Sequence, residues 1–123
     1  MSYLLVFMGA GFGGVLRHGV NLLAPRLGVA PPYGTLAVNV AGSLLAGLVL
    51  GWLASRGEGA DVWRLFLMTG VLGGFTTFSA FSLDVVLLFE RGDIGSAAFY
   101  AVGSVVFSIA AAILGLWLAR MAA

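Results

Sequence analysis

Gly70-Val71-Leu72-Gly73-Gly74-Phe75-Thr76-Thr77-Phe78-Ser79-Ala80-Phe81-Ser82 lies at the centre of an apolar run that extends from about residue 62 to residue 89. A bilayer crossing needs about 20 mostly apolar residues, and this run has the length for one. Its middle is not uniformly apolar, however. Two glycines followed by two threonines at mid-span predict an interrupted helix. Unwinding frees backbone carbonyls that lipid cannot satisfy, so they must face protein, water or a cation. A simple packing kink is the other reading.

Working outward, three further apolar runs of spanning length flank it, at about 3–24, 35–54 and 94–119. The connectors between runs are short. The whole chain, 1–123, reads as a single four-helix transmembrane domain. Composition supports this: 61% of the residues are hydrophobic and 9% charged, against about 25% charged in an ordinary soluble domain. Mean hydropathy is +1.09. These values exclude a soluble enzyme and a disordered tail. A net charge of +1 provides no basic face for nucleic acid. The absence of cysteine removes disulfides, thiolate metal sites and thiol nucleophiles. Continuous apolar runs also exclude a β-barrel, whose strands alternate in polarity. No basic region precedes the first run, so no cleaved leader is expected. The fold class is therefore all-α integral membrane, with the third of four helices broken mid-span.

Four spans put both ends of the chain on one side of the membrane. Orientation follows the arginine and lysine bias of the loops. Arg56, Arg64 and Arg120 fall on one side, Arg17, Arg26 and Arg91 on the other, and there is no lysine. So even a count leaves two readings: a weak signal settled by the insertion machinery, or insertion in both orientations and an antiparallel dimer. Four helices of this size have little interior for a pore, which also favours oligomerisation.

Polar residues inside the spans need partners or a wet cavity. The second span carries Thr35, Asn39, Ser43, Gly47 and Gly51 at four-residue spacing, which holds them on one helix face. The small residues read as a packing seam, whereas Asn39 offers two N–H donors to a neighbour helix or to a solute. The fourth span repeats the spacing with Ser96, Tyr100, Ser104 and Ser108. Such hydroxyls bond back to their own helix or replace the water shell of a small polar solute. Phe78 and Phe81 share a face among the hydroxyls of Thr77, Ser79 and Ser82. They read as packing, or as rings whose positive edges face an anion. Asp84, one turn further on, is expected to be functional or close to an aqueous vestibule. Arg17 and His18 read as side chains that snorkel to the interface, with Arg17 alternatively attracting anions at a pore mouth.

These residues form a pattern. Gly9-Ala10-Gly11-Phe12-Gly13-Gly14-Val15-Leu16-Arg17-His18 resembles the glycine-rich first span of the CrcB/Fluc fluoride channels. Gly34-Thr35-Leu36-Ala37-Val38-Asn39-Val40-Ala41-Gly42-Ser43 resembles that family's GTLxVNxxGS signature, and Gly73 to Ser82 resembles its GGxTTFSTFS signature. The resemblance covers essentially the whole chain and implies a fluoride-selective channel, not an enzyme. It implies a multi-pass protein of the prokaryotic inner membrane that exports fluoride passively and protects the cell from its toxicity. Its partners would be fluoride, the lipid bilayer and a second copy of itself, in an antiparallel dual-topology homodimer with two pores. The implied fluoride path comprises Asn39, Phe78, Phe81, Tyr100, Ser104 and Ser108, with the Thr77 and Ser79 hydroxyls beside it. The implied cofactor is a structural sodium ion on the backbone carbonyls of Gly73 and Thr76. Arg17 and Asp84 are vestibule candidates. Ala80 and Asp84 stand where the family often has threonine and glutamate.

The chemistry agrees with this resemblance. Fluoride is small and strongly hydrated, so donors must replace its water while holding it weakly enough to let it leave. Hydroxyls, an amide and ring edges meet both demands without a fixed charge, which favours a channel over a pump. Two rivals stand beside it. A small multidrug-type proton-coupled transporter would carry an acid in its first span, and this one has none. A non-transporting assembly subunit would not need rows of hydroxyls on two helices.

Overall fold

The computed structural model describes residues 1–122. Four helical stretches are long and apolar enough to cross a membrane: Ser2–Arg26, Pro31–Ala54, Ala60–Glu90 and Ile94–Ala122. No strand is present among the described residues. The first two helices, α1 (Ser2–Arg26) and α2 (Pro31–Ala54), are separated by a tight turn at Gly28, whose φ of 78° suits glycine. The sequence reading left 25–34 as a connector. Pro25 instead sits in the last turn of α1, and Pro31 and Pro32 open α2. Proline is favoured in a first helical turn, where its missing N–H has no partner to lose.

The third stretch is built in pieces. A short helix α3 (Ala60–Trp63) leads into a π-helix over Arg64–Leu72, then α4 (Gly73–Phe75) and α5 (Phe78–Glu90). Between α4 and α5 two residues are extended: Thr76 at φ −85°, ψ 155° and Thr77 at φ −150°, ψ 119°. Gly73 and Gly74 are themselves helical, which corrects the expectation that the glycine pair is the point of interruption. Their small size serves packing instead: a Cβ on Gly74 would strike the Ala10 carbonyl of α1. The final helix, α6, spans Ile94–Ala122, and Asp93 Oδ1 accepts from the Ser96 N–H in its first turn, 3.3 Å away.

The helices associate in two close pairs, α1 with the π-helix and α4, and α2 with α6. Both pairs are made by backbone meeting backbone. A Cβ on Gly9 would lie 2.6 Å from the Phe66 carbonyl, and one on Gly13 would strike that of Val71. Between α2 and α6, Gly47 faces the Ala112 carbonyl and Gly115 faces that of Leu44. Lipid provides no hydrophobic drive between helices, so close approach through small residues is what holds them. The second-span glycines thus do what the packing reading assigned to them. With α2 and α6 locked together, α5 packs against both.

Candidate functional site

Where α2, α6 and the extended residues meet, the structure has a cavity of about 410 Å³. Asn39, Ser43, Thr76, Thr77, Phe78, Phe81, Ser104 and Ser108 line it, with Gly73 and Met68 at its edge. None of its lining residues is charged. Most residues singled out in the sequence therefore converge on one space, although they come from three separate stretches of chain.

Asn39 is the linchpin. Its Nδ2 donates to the Thr77 carbonyl at 3.0 Å, and its Oδ1 accepts from the Thr77 N–H at 2.9 Å. The side-chain amide thus pairs with the backbone as a neighbouring strand would, satisfying an extended residue that has no sheet. One N–H of Nδ2 remains for another acceptor. Thr77 in turn caps α5: its Oγ1 accepts from the Ala80 N–H at 3.2 Å and lies 3.2 Å from Ser79 Oγ.

These two bonds divert N–H groups from the helical ladder. In an unbroken helix the Thr77 N–H would bond to the Gly73 carbonyl and the Ala80 N–H to the Thr76 carbonyl. The side chains of Asn39 and Thr77 take both. Of the neighbouring carbonyls, Leu72 accepts from the Thr76 N–H and from Thr76 Oγ1, and Gly74 accepts from Arg17 Nε at 3.1 Å. Arg17 is thus half-buried and tied to the backbone of the third stretch. Gly42 makes room for this turn, since a Cβ there would strike Thr76.

On α6, Ser104 is 5% exposed and its Oγ has no hydrogen-bond partner among the described residues. Buried hydroxyls are nearly always paired, and this unpaired one lies on the cavity wall. Ser108 lies one turn further along the same wall. Tyr100, one turn the other way, does not line the cavity. It is 1% exposed, and its hydroxyl donates to Asp84 Oδ2 at 3.0 Å. Its ring lies 5.5 Å from that of Phe81, which is also 5.5 Å from that of Phe78. Phe78 is 76% exposed in the single chain. Ser79 is exposed and outside the cavity lining. The sequence reading missed Met68 as a wall residue and assigned Ser43 to packing; the shared helix face with Asn39 was the available signal for Ser43. No group of three or more metal-ligating side chains occurs among the described residues.

The fold and site define a multi-pass helical membrane protein with a cavity whose lining is uncharged and includes several hydroxyls. The chain belongs to the CrcB-like protein, Camphor Resistance (CrcB) family, whose model matches residues 4–116. It is 57% identical over 121 residues to "Fluoride-specific ion channel FluC 2" of Nitrobacter hamburgensis, covering 98% of each chain. It is 59% identical over 110 residues to the "Fluoride-specific ion channel FluC" of Methylobacterium nodulans, covering 89% of each. The protein of that name from Rhodopseudomonas palustris is 54% identical over 121 residues, again covering 98% of each chain.

Proposed function

We propose that this protein is a fluoride-selective channel of a prokaryotic inner membrane, exporting fluoride passively and thereby protecting the cell. The observation that carries the reading is the orphan Ser104 hydroxyl on the wall of a cavity without formal charge. A dehydrated anion needs such a donor, and a cationic side chain in its place would hold the ion too long. The spare N–H of Asn39 and the ring edges of Phe78 and Phe81 add donors on the same wall. The printed names of the relatives point the same way.

The working unit is an antiparallel dual-topology homodimer with two pores. The exposed Phe78 ring leaves the cavity open on one side, where a second copy would cover it. Trp52, Trp63 and Trp117 all lie toward one end of the bundle, so one copy furnishes a single interfacial belt. An inverted copy would complete the other. With Arg17 tied to Gly74, the loop arginines number two against three, still too even to impose one orientation.

The implied sodium ion fits the residues present. The carbonyls of Gly73 and Thr76 are the two that lose their helical N–H partners to side chains. Backbone oxygens without a carboxylate suit a monovalent cation better than Ca²⁺ or Mg²⁺, which recruit acidic ligands. Bound there, the ion would neutralise the carbonyl dipoles at the dimer centre. The break in the third span is, on this reading, what creates its ligands.

The decisive experiment is fluoride efflux from liposomes containing the purified chain. Rapid electrogenic efflux is expected without a proton gradient. Efflux that requires a proton gradient would establish the transporter rival, and no efflux at all the assembly-subunit rival.

A further inference from the structure

The series of rings that starts at the cavity does not end at Tyr100. Centroids of Phe78 and Phe81 lie 5.5 Å apart, those of Phe81 and Tyr100 5.5 Å, and those of Tyr100 and Tyr33 6.1 Å at an interplanar angle of 88°. All three spacings fall within the range of favourable aromatic contact. Tyr33 is the third residue of α2, whereas Tyr100 is the seventh of α6, so Tyr33 stands nearer the membrane face. It is half-buried, packed against the small core of Leu88, Ala97 and Tyr100.

The hydroxyls of the two tyrosines are in different states. That of Tyr100 donates its hydrogen to Asp84 Oδ2. An ion arriving there meets ring edges, a hydroxyl with no free hydrogen and a carboxyl group that is no donor when ionised. The Tyr33 hydroxyl makes no hydrogen bond among the described residues. It is therefore the next uncommitted donor in the series beyond Phe81.

We infer that Tyr33 is the outermost donor of the anion path, its ring continuing the series and its hydroxyl passing fluoride between Tyr100 and bulk water. This assignment rests on the fluoride-channel reading above. The competing account makes Tyr33 a lid that only shields Tyr100 from lipid.

Tyr33→Phe separates the two, because it keeps the ring contact and removes only the donor. Tyr33→Trp restores a donor, the indole N–H, at the end of a ring. Initial fluoride efflux from liposomes holding the full-length dimer is compared with wild type, and folding is followed by elution volume in detergent. Tyr33→Phe should slow efflux about ten-fold, the scale of one hydrogen bond to a charged group, with unchanged elution. Tyr33→Trp should recover most of the loss. Wild-type efflux by Tyr33→Phe would overturn the assignment, as would Tyr33→Trp being as slow as Tyr33→Phe. So would misfolding of Tyr33→Phe, since the hydroxyl would then be structural. A wild-type protein that carries no fluoride would overturn the channel reading, and this assignment with it.

Discussion

The two sides of Phe81 solve one problem by different means. On the cavity side, Asn39, Ser43, Ser104 and Ser108 surround open space of about 410 Å³, with donors held ready and one hydroxyl left without a partner. On the other side, Tyr100 and Tyr33 pack ring against ring, and the Tyr100 hydroxyl is spent on Asp84. One side is a cavity with an unpaired hydroxyl on its wall, the other a run of tilted and edge-on ring contacts. A helix face of hydroxyls therefore does not have one role along its length. Tyr100 and Ser104 are neighbours in the same four-residue row, yet one is satisfied by protein and the other is not.

The largest expected effect is on the cavity side, at Asn39. Asn39→Asp keeps the shape but loses the Nδ2 donor to the Thr77 carbonyl and sets oxygen against oxygen. It also adds a charge that repels anions. Fluoride efflux should fall at least about a hundred-fold, the scale expected when a buried group loses its compensation. Efflux within two-fold of wild type would show that the Thr77 pairing and the donor role are both dispensable. Phe81→Ile comes next, because Phe81 touches rings on both sides. Loss of two aromatic contacts should lower stability by about 2 kcal/mol, at about 1 kcal/mol each, and loss of the ring edge should slow efflux. Phe78→Ile removes one contact and should cost about 1 kcal/mol of stability, with a smaller loss of efflux. Equal effects at the two positions would remove Phe81 from its bridging place.

Matched hydroxyl deletions sharpen the comparison directly. Ser104→Ala should slow efflux about ten-fold, as one donor to a charged ion is lost. Thermal stability should stay level or rise, since no internal partner is stranded. Tyr100→Phe should do the reverse. Efflux should change by no more than about two-fold, because the hydroxyl is already committed to Asp84, while stability falls by about 1–3 kcal/mol as Asp84 Oδ2 loses its donor. If both variants lost flux alike and neither lost stability, the two sides would be one continuous polar track.

How much of this was legible beforehand follows from the range of each interaction. Helix count came from apolar runs, which are local. The glycine seams of α2 and the four-residue rows were legible because helical periodicity alone puts them on one face. The position of the extended residues was misread by a few residues: glycine permits unwinding, but Gly73 and Gly74 are held helical against α1, and Asn39 pulls Thr77 out of the ladder instead. That pairing joins residues 38 apart, and the bond from Arg17 to Gly74 joins residues 57 apart. No local pattern specifies either. The π-helix over Arg64–Leu72 likewise has no signal in its own residues. Tyr33 escaped notice because its partner ring lies on another helix, outside any row on its own.

The smallest expected effect is a null one, and it tests whether the cavity side serves one ion or two. The same turn that pairs Asn39 with the Thr77 backbone also leaves the Gly73 and Thr76 carbonyls without their helical partners. A spare donor and two spare acceptors thus lie a few residues apart. If a cation sits on those carbonyls structurally, its ligands have no other partner and it stays in place. Fluoride is then the sole charge carrier. The reversal potential, measured with fluoride fixed and sodium ten-fold unequal across the membrane, should not move. A cation sharing the path would shift it toward the sodium potential, about 60 mV for a ten-fold gradient of a monovalent ion. Such a shift would dissolve the distinction between the cavity and the run of rings, because a cavity that passes both signs of charge is not selecting through its hydroxyls. Absence of a shift, together with loss of dimer stability on exchanging sodium for a large organic cation, would place the ion in the scaffold and leave the anion path to the donors.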